Sequence, residues 1–219
     1  MAPRLVIVDG HELLAGSLAL VLRQAGLDVA IATGPSADAV VETVRQAAPV
    51  LVLLDLDLGP RLGCGLDLIR PLIDVGGRVV MTTSGTEGHR LAACLEAGAA
   101  GILCKTLGFA EFVDGVHRAL DGKELLRAGE REVLLGELQA WRQANADRLA
   151  PFTALTPREQ AVLAGLVLGQ SAEAIAARSA VSLYTIRSQI KSLLLKLGVS
   201  SQLGAVALAR RASWPPSAA

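Results

Sequence analysis

The sequence has few aromatic residues, cysteines and histidines, no net charge, and no long uninterrupted apolar run. Only 3% of its 219 residues are aromatic, and Lys plus Arg equal Asp plus Glu at 21 each. The absence of an uncharged apolar window of about 18 residues argues against a membrane span, and the apolar run in MAPRLVIVDG is too short for a signal peptide. The cysteines are Cys64, Cys94 and Cys104, and the histidines are His11, His89 and His117. Because neither set has the spacing of metal ligands or of a triad, we expect no zinc site, buried thiols and a cytoplasmic location.

Aliphatic residues are abundant. Hydrophobic residues as a whole make up 52% of the chain, which is enough for a packed core. The charges are unevenly placed although they cancel overall. Residues 153–219 contain seven Lys or Arg and two Glu, a net charge of +5, which leaves −5 for the rest of the neutral chain. An acidic body with a basic C-terminal domain predicts that only this last domain is attracted to a polyanion.

Short apolar runs alternate with helical patterns over about the first 120 residues. The predicted strands are Leu5–Val8, Val29–Ala32, Leu51–Leu54, Arg78–Thr82 and Gly101–Cys104, and the predicted helices are 12–25, 36–47, 65–73, 88–97 and 109–121. Nearly all-apolar strands in this alternation predict a parallel sheet covered on both faces. We expect a doubly wound α/β domain of flavodoxin-like order, with its ligand at the carboxyl ends of the strands.

Polar side chains follow these strands at their carboxyl ends. Asp9, Asp55 and Asp57 supply carboxylates, Thr83 a hydroxyl and Lys105 an ammonium. Carboxylates converging at one edge suit Mg²⁺, and a carboxylate beside that cation can attack phosphorus to form an acyl phosphate. The simpler alternative is turn chemistry, which also favours Asp at strand ends.

The segment Ala172–Gly198 has the pattern of a helix-turn-helix. A short helix reaches a break at 179–181, and Ser182 is the predicted N-cap of a second helix. On that helix Ile186, Ile190, Leu193, Leu194 and Leu197 recur at helical spacing and are predicted to pack inward. The residues predicted to face DNA are Ser182, Thr185, Arg187, Ser188, Lys191 and Lys196. The alternative is a solvated basic face on an ordinary core helix.

These motifs resemble those of NarL-type response regulators, over nearly the whole chain. IVDGH at 7–11, LLDLDLG at 53–59, TTS at 82–84 and AGAAGILCK at 97–105 are similar to a receiver domain. LTPREQAVL at 155–163, GQSAEAIA, TIRSQI and KLGV are similar to a LuxR-type helix-turn-helix. The resemblance implies that Asp55 accepts a phosphoryl group, that Thr83 and Lys105 sense it, and that Arg187, Ser188 and Lys191 face base edges.

The receiver part departs from the family pattern at several positions. Gly10 replaces an acidic residue that coordinates Mg²⁺, and Glu12 is a poor substitute because it would begin the first helix. Asp57 stands where the family supplies a backbone carbonyl, so it would either assist Asp9 and Asp55 in holding the metal or repel Asp55. Ile102 replaces the aromatic signalling residue. We therefore predict weak Mg²⁺ binding and weak or absent phosphorylation of Asp55.

Departures in the DNA-binding part are milder. Gln189 and Gln202 stand where the family commonly has His and Arg, and both keep a hydrogen-bond donor. The predicted connector, Glu124–Ala150, is an amphipathic helix ended by Pro151; its apolar stripe packs either on its own receiver or on a second subunit. A last helix, Leu203–Arg211, is a candidate dimer contact, and the tail from Ser213 is predicted to be frayed.

The chain is thus predicted to have a receiver-like domain at 1–122, a helical linker at 123–152 and an all-α tetrahelical helix-turn-helix domain at 153–219. We expect a homodimeric regulator of transcription that binds double-stranded DNA, answers a sensor histidine kinase, does not bind membranes and is not an enzyme. One alternative is a haloacid-dehalogenase-like phosphohydrolase using Asp55 and Asp57. Others are a regulator controlled by a ligand or partner without phosphorylation, and an interaction protein whose DNA-binding face has decayed.

Overall fold

The structure, a computed structural model, describes residues 5–85 and 88–215 and divides into two compact units. The first unit spans Met1–Ala140 and the second Trp141–Ala219. Each unit has its own hydrophobic core, and each is described by itself below.

The first unit is built on a parallel five-stranded sheet. Its strands are β1 (Leu5–Val8), β2 (Val29–Ile31), β3 (Leu51–Asp55), β4 (Arg78–Thr83) and β5 (Gly101–Cys104). They lie in the order β2-β1-β3-β4-β5, so the winding direction reverses between β1 and β3. This order confirms the predicted flavodoxin-like sheet. Its strands are nearly all apolar and must therefore be covered on both faces.

Helices cover both faces of this sheet. They are α1 (Glu12–Gln24), α2 (Ala37–Ala47), α3 (Gly59–Leu62), α4 (Leu66–Asp74), α5 (Gly88–Glu96) and α6 (Phe109–Leu120). One core cluster includes buried residues of α2 and α4, such as Val40 and Ile69, and the other includes residues of α1 and α6, such as Leu22 and Phe112. The one-turn helix α3 was not predicted; it lies in the loop that follows Asp55.

The observed strand ends differ from the predicted ones by one residue in three places. Strand β2 stops at Ile31, whereas β3 extends to Asp55 and β4 to Thr83. Asp55 pairs in register with Thr82, and Thr83 with Cys104. Asp55 and Thr83 are therefore held by the strand ladder itself, whereas Asp9 and Lys105 directly follow their strands.

The connecting helix α7 runs over Glu130–Thr153, so the prediction of a helix over Glu124–Ala150 was displaced at both ends. The helix begins six residues after the predicted start because the backbone of Gly129, with φ of +79°, is not helical. The segment before it is held by Leu125, which packs closely over Gly101. The helix also continues through Pro151, which was wrongly predicted to end it. Two buried residues follow this proline, Phe152 and Leu155, and their burial offsets the lost backbone hydrogen bond.

The predicted apolar stripe of the connector is only partly covered. Leu138 is buried, whereas Val133 and Trp141 are 60% and 46% exposed. The division between the two units falls within α7, after Ala140.

The second unit is helical. Four helices follow α7: α8 (Pro157–Val167), α9 (Ala172–Ser179), α10 (Leu183–Leu197) and α11 (Gln202–Arg211). Their core contains Leu163, Ile175, Ile186, Leu193 and Ala205. The predicted all-α tetrahelical helix-turn-helix arrangement is confirmed, including the break between α9 and α10 at Ala180, whose backbone is left-handed with φ of +52°.

The C-terminal tail does not begin to fray where composition predicts. The ring of Trp214 stacks on that of Phe152, with centroids 5.4 Å apart and planes inclined by 16°. An aromatic pair of this geometry covers the edge of the core and orders the chain as far as Pro215. The last four positions of the predicted frayed tail, 216–219, lie outside the described residues.

Across residues 5–85 and 88–215, no single helix is both long and apolar enough to cross a membrane. Helices α10 and α11, bent by 54° to each other, reach that length and composition only as a pair.

Candidate functional site

A buried cluster of two carboxylates and one ammonium lies at the carboxyl edge of the sheet. Asp9 follows β1, Asp55 ends β3 and Lys105 follows β5, and the side chains of all three are at most 6% exposed. The Lys105 Nζ lies 2.6 Å from Asp9 Oδ2 and 2.9 Å from Asp55 Oδ1. The structure therefore brings together three of the residues that the sequence predicts for this site.

Burial raises the pKa of the Asp55 carboxyl above its usual range. The nearby charge of Asp9 acts in the same direction, while the hydrogen bond and positive charge of Lys105 oppose it. One ammonium thus does not fully compensate two buried carboxylates, and Asp55 ionises less readily than an exposed aspartate.

The other two predicted signalling residues lie on neighbouring strands, Thr83 at the carboxyl end of β4 and Ile102 within β5, in register with Met81. Thr83 is buried, and its Oγ1 accepts a hydrogen bond from the Gly85 N–H at 3.0 Å. Ile102, in β5, is partly buried against the core cluster beneath α2 and α4. A branched aliphatic side chain packed in this way has no ring to turn outward.

Asp57 is not brought into this cluster, although the sequence suggested it as a metal ligand. Its side chain is 66% exposed, and its Oδ1 accepts a hydrogen bond from Arg90 Nη2 at 2.7 Å. Hydrogen bonds to Asp57 and Cys64 raise the pKa of the Arg90 guanidinium. The Asp57 carboxylate therefore joins the loop after β3 to helix α5.

Position 10 is closed to any side chain by the backbone of the loop after β3. A Cβ at Gly10 would lie 2.5 Å from the carbonyl carbon of Leu58 and 2.6 Å from its oxygen. Leu58 is itself held by a hydrogen bond from its N–H to the Gly63 carbonyl at 3.0 Å. An acidic residue therefore cannot occupy position 10 unless this loop moves.

His11 is a member of the site that the sequence analysis missed. Its Nδ1 lies 3.5 Å from Asp9 Oδ1 and 3.8 Å from Asp55 Oδ2, so this histidine is not one of a scattered set. The three side chains form a group whose ligand atoms are all within 4.8 Å of one another. Receiver domains commonly bind Mg²⁺ at acidic residues, but here the group consists of two carboxylates and an imidazole. Only the register of β1 against β3, not the local sequence, could have identified it.

In the second unit, α10 has one buried and one exposed face, as its sequence predicts. Ile186, Ile190, Leu193 and Leu197 are buried, and Leu194 packs partly against them. Arg187, Ser188 and Lys191 are exposed on the other side. The predicted N-cap is also present, since Ser182 Oγ accepts a hydrogen bond from the Thr185 N–H at 3.1 Å.

Tyr184 is a second residue that the sequence analysis missed. It lies in the first turn of α10, and 84% of its surface is exposed. Residues three, four and seven positions apart share a helix face, so Tyr184 lies on the face of Arg187, Ser188 and Lys191. An aromatic ring held in water beside basic residues is available to a bound partner.

Lys196 is exposed, as predicted, and its ammonium contacts a buried carboxylate. Lys196 Nζ lies 2.7 Å from Glu159 Oε2, and Ser192 Oγ donates to Glu159 Oε1 at 2.6 Å. Thr156 adds hydrogen bonds from its N–H and hydroxyl and completes a capping box at the start of α8. Burial alone would raise the pKa of Glu159, but these donors lower it to about 2.

Two known protein families match the chain, one in each unit. Residues 5–117 match the family described as response regulator receiver domain, and residues 153–209 match the bacterial regulatory proteins of the luxR family. The probable transcriptional regulatory protein NarL of Mycobacterium tuberculosis is 28% identical over 209 residues, 95% of this chain and 94% of that protein. The virulence regulator BvgA of Bordetella pertussis is 28% identical over 216 residues, 96% of this chain and 98% of that protein.

Among solved structures, RcsB of Salmonella typhimurium is similar over 96% of this chain and 100% of that one. Its sequence is 21% identical and the TM-score is 0.49. Both family matches correspond to a regulator and not to a phosphohydrolase, so the alternative enzymatic interpretation of Asp55 and Asp57 is wrong.

Proposed function

Because this chain belongs to the response regulator receiver family and carries a luxR-type domain, we propose that it is a two-component transcription regulator that binds double-stranded DNA. The proposal rests mainly on α10. Four buried aliphatic residues hold that helix on its domain, while Arg187, Ser188 and Lys191 remain exposed on its outer face. A helix of this kind presents donors to bases and phosphates when it lies in the major groove.

The N-terminal half of α10 supplies most of the proposed DNA contacts. Ser182 and Thr185 fix the start of the helix, and Arg187, Ser188 and Lys191 face the groove. Tyr184 joins this set because it shares their face. Lys196 contributes by holding α10 to α8 through Glu159, since its ammonium is already paired there.

The chain acts as a homodimer in this proposal, because a single helix-turn-helix contacts only a few base pairs and two half-sites increase specificity. The domains are a receiver at 1–122, a linker at 123–152 and a DNA-binding domain at 153–219. We place the protein in the cytoplasm, where its free cysteines stay reduced. A sensor histidine kinase is the partner expected for the receiver.

Asp55 is the proposed phosphoacceptor, with Lys105 beside it. Thr83 and Lys105 are the proposed signalling residues, and Ile102 stands in place of the usual aromatic ring. Phosphorylation is proposed to be weak for two reasons. Mg²⁺ binding is weak because the backbone of Leu58 closes position 10 to an acidic ligand. Burial also raises the pKa of the Asp55 carboxyl, so this carboxyl ionises less readily than an exposed aspartate and is a weaker nucleophile.

DNA binding is tested with the full-length protein and duplex fragments of its own genome. Replacing Arg187 and Lys191 by Ala is expected to abolish retention at low salt, and the binding constant of the parent should fall steeply as salt is added. Lys123→Ala removes one charge from the first unit and serves as the control, since Lys123 is paired with Asp121 in that unit. Binding that survives loss of Arg187 and Lys191 would contradict the proposal.

Phosphorylation is tested separately with acetyl phosphate and Mg²⁺, with intact mass as the measurement. We expect little or no mass increase under conditions that phosphorylate a typical receiver domain run in parallel. Rapid, stoichiometric phosphorylation that Asp55→Asn abolishes would refute weak phosphorylation without affecting the DNA-binding proposal.

A further inference from the structure

The side-chain atoms around Asp55 that could bind a metal do not match the ligands that Mg²⁺ prefers. This ion requires near-octahedral oxygen coordination and binds through carboxylates with several waters. Here Leu58 closes position 10, and the carboxylate of Asp57 contacts Arg90. Lys105 occupies one oxygen of Asp9 and one of Asp55. Lys105 leaves one carboxylate oxygen on each aspartate, and that of Asp9 already accepts the His11 backbone N–H at 2.8 Å, so the pair is a poor site for magnesium.

A nitrogen donor completes this pair. His11 Nδ1 lies 3.5 Å from Asp9 Oδ1 and 3.8 Å from Asp55 Oδ2, the two oxygens that Lys105 leaves unoccupied. Neighbouring ligand atoms of a tetrahedral zinc ion lie about 3.3 Å apart, as bond lengths of about 2.0–2.1 Å require. We propose that Asp9, His11 and Asp55 form a nitrogen–oxygen site that binds Zn²⁺ or a similar late first-row divalent ion in preference to Mg²⁺.

Lys105 prepares this site by orienting both carboxylates. Its ammonium holds Asp9 Oδ2 and Asp55 Oδ1, which directs the other oxygens toward the imidazole. The backbone N–H of His11 also donates a hydrogen bond to Asp9 Oδ1 at 2.8 Å and so limits the rotation of that carboxylate. Outer contacts of this kind usually strengthen metal binding. Two carboxylates and one ammonium leave a net negative charge for a divalent cation to neutralise.

The position of His11 also allows the ion to enter. The imidazole is 68% exposed, whereas the Asp9 and Asp55 side chains are almost fully buried. An ion arriving from solvent would meet His11 first, and water would complete its coordination. Imidazole is a common ligand of Zn²⁺, Cu²⁺ and Ni²⁺, whereas carboxylate, carbonyl and water suit Mg²⁺.

The test is metal binding by the untagged, metal-free, full-length protein. Zn²⁺ affinity is measured by competition with a chromogenic chelator, Co²⁺ binding by its visible absorption, and Mg²⁺ affinity by calorimetry. We expect Zn²⁺ to bind at one equivalent and at least about tenfold more tightly than Mg²⁺. His11→Ala should weaken Zn²⁺ binding by about tenfold or more. His117→Ala, which removes an exposed histidine on α6, should bind as the parent does.

Circular dichroism of both variants shows whether the fold is intact, which is expected because both histidines are exposed. Equal affinities for Zn²⁺ and Mg²⁺ would overturn the inference. So would an absence of Zn²⁺ binding, or a His11→Ala protein that retains the parent's Zn²⁺ affinity. None of these results depends on DNA binding, so the inference can fail while the proposed function stands.

Discussion

The backbone of Leu58 lies against Gly10 so closely that a Cβ at position 10 would be 2.5 Å from the Leu58 carbonyl carbon. Real Cβ atoms do not approach backbone atoms this closely. With the loop that follows Asp55 in this conformation, only glycine fits at position 10, and an acidic ligand there has no room.

Gly10→Ala is expected to destabilise the first unit by about 1–3 kcal/mol, because one added methyl forces the loop backbone to shift. Gly16→Ala is the matched control. Gly16 lies in α1, where an added Cβ would meet no atom within 4 Å, and alanine there should stabilise the helix by up to about 1 kcal/mol. Urea unfolding followed by far-ultraviolet circular dichroism measures both changes. A Gly10→Ala protein as stable as the parent would mean that the loop yields and position 10 is open after all.

With Glu159→Gln, the free energy of unfolding of the second unit is expected to fall less than in the parent when the pH is lowered into the acid range. The folded-state pKa of Glu159 is about 2, below its usual value of 4.5, so its ionised form stabilises the fold above pH 4.5. This contribution is lost as pH falls from 4.5 toward 2. At pH 7 the variant should lose about 2 kcal/mol, and the difference from the parent should shrink below pH 4.5.

Both tryptophans, Trp141 and Trp214, belong to the second unit, so their fluorescence during urea unfolding reports on that unit. Glu173→Gln is the control, because Glu173 pairs with Arg187 at 3.5 Å on the exposed surface and such pairs contribute little. If Glu159→Gln and Glu173→Gln behave alike at pH 7, the buried network does not stabilise this domain.

Local patterns were sufficient to predict most of the fold. The five strands were each predicted to within one residue, because buried parallel strands are continuous apolar runs. Ser182 was identified as an N-cap from its position before an amphipathic run. These features depend on residues adjacent in sequence, so the pattern contains the necessary information.

The parts that sequence reasoning missed depend on residues far apart in the chain. Asp57 was expected to bind metal but meets Arg90, 33 residues away. The ammonium of Lys196, a residue predicted to face DNA, contacts Glu159, 37 residues away, a contact that the sequence did not predict. A charged side chain binds the partner that packing brings within reach, and no periodicity in the sequence identifies that partner.

Tyr184→Ala is expected to weaken DNA binding by roughly fivefold, about 1 kcal/mol, with little change in stability because the side chain is 84% exposed. The N-terminal residues of a recognition helix approach the base edges, and the ring lies on that part of α10. Tyr184→Phe separates the contribution of the ring from that of the hydroxyl. Fluorescence anisotropy with a genomic fragment retained by the parent measures the affinity.

Leu168→Ala is the control for Tyr184→Ala, since Leu168 is 73% exposed in the same unit but follows α8. Unchanged affinity in Tyr184→Ala would remove Tyr184 from the proposed DNA-binding surface. Weaker binding in both variants would indicate a general effect of losing exposed apolar area and not a specific contact.

Trp214→Ala is expected to destabilise the second unit by about 1–3 kcal/mol, less than the loss of a fully buried tryptophan, because the ring is only partly buried. Its ring stacks on Phe152, which is 3% exposed, so the substitution opens the core beside the end of α7. Trp141→Ala is the matched control, since Trp141 is 46% exposed and outside that core. Urea unfolding followed by far-ultraviolet circular dichroism avoids reliance on the altered fluorescence. Equal stability of the two variants would mean that the tail is frayed from Ser213, as its composition predicts, and that α7 ends without support from Trp214.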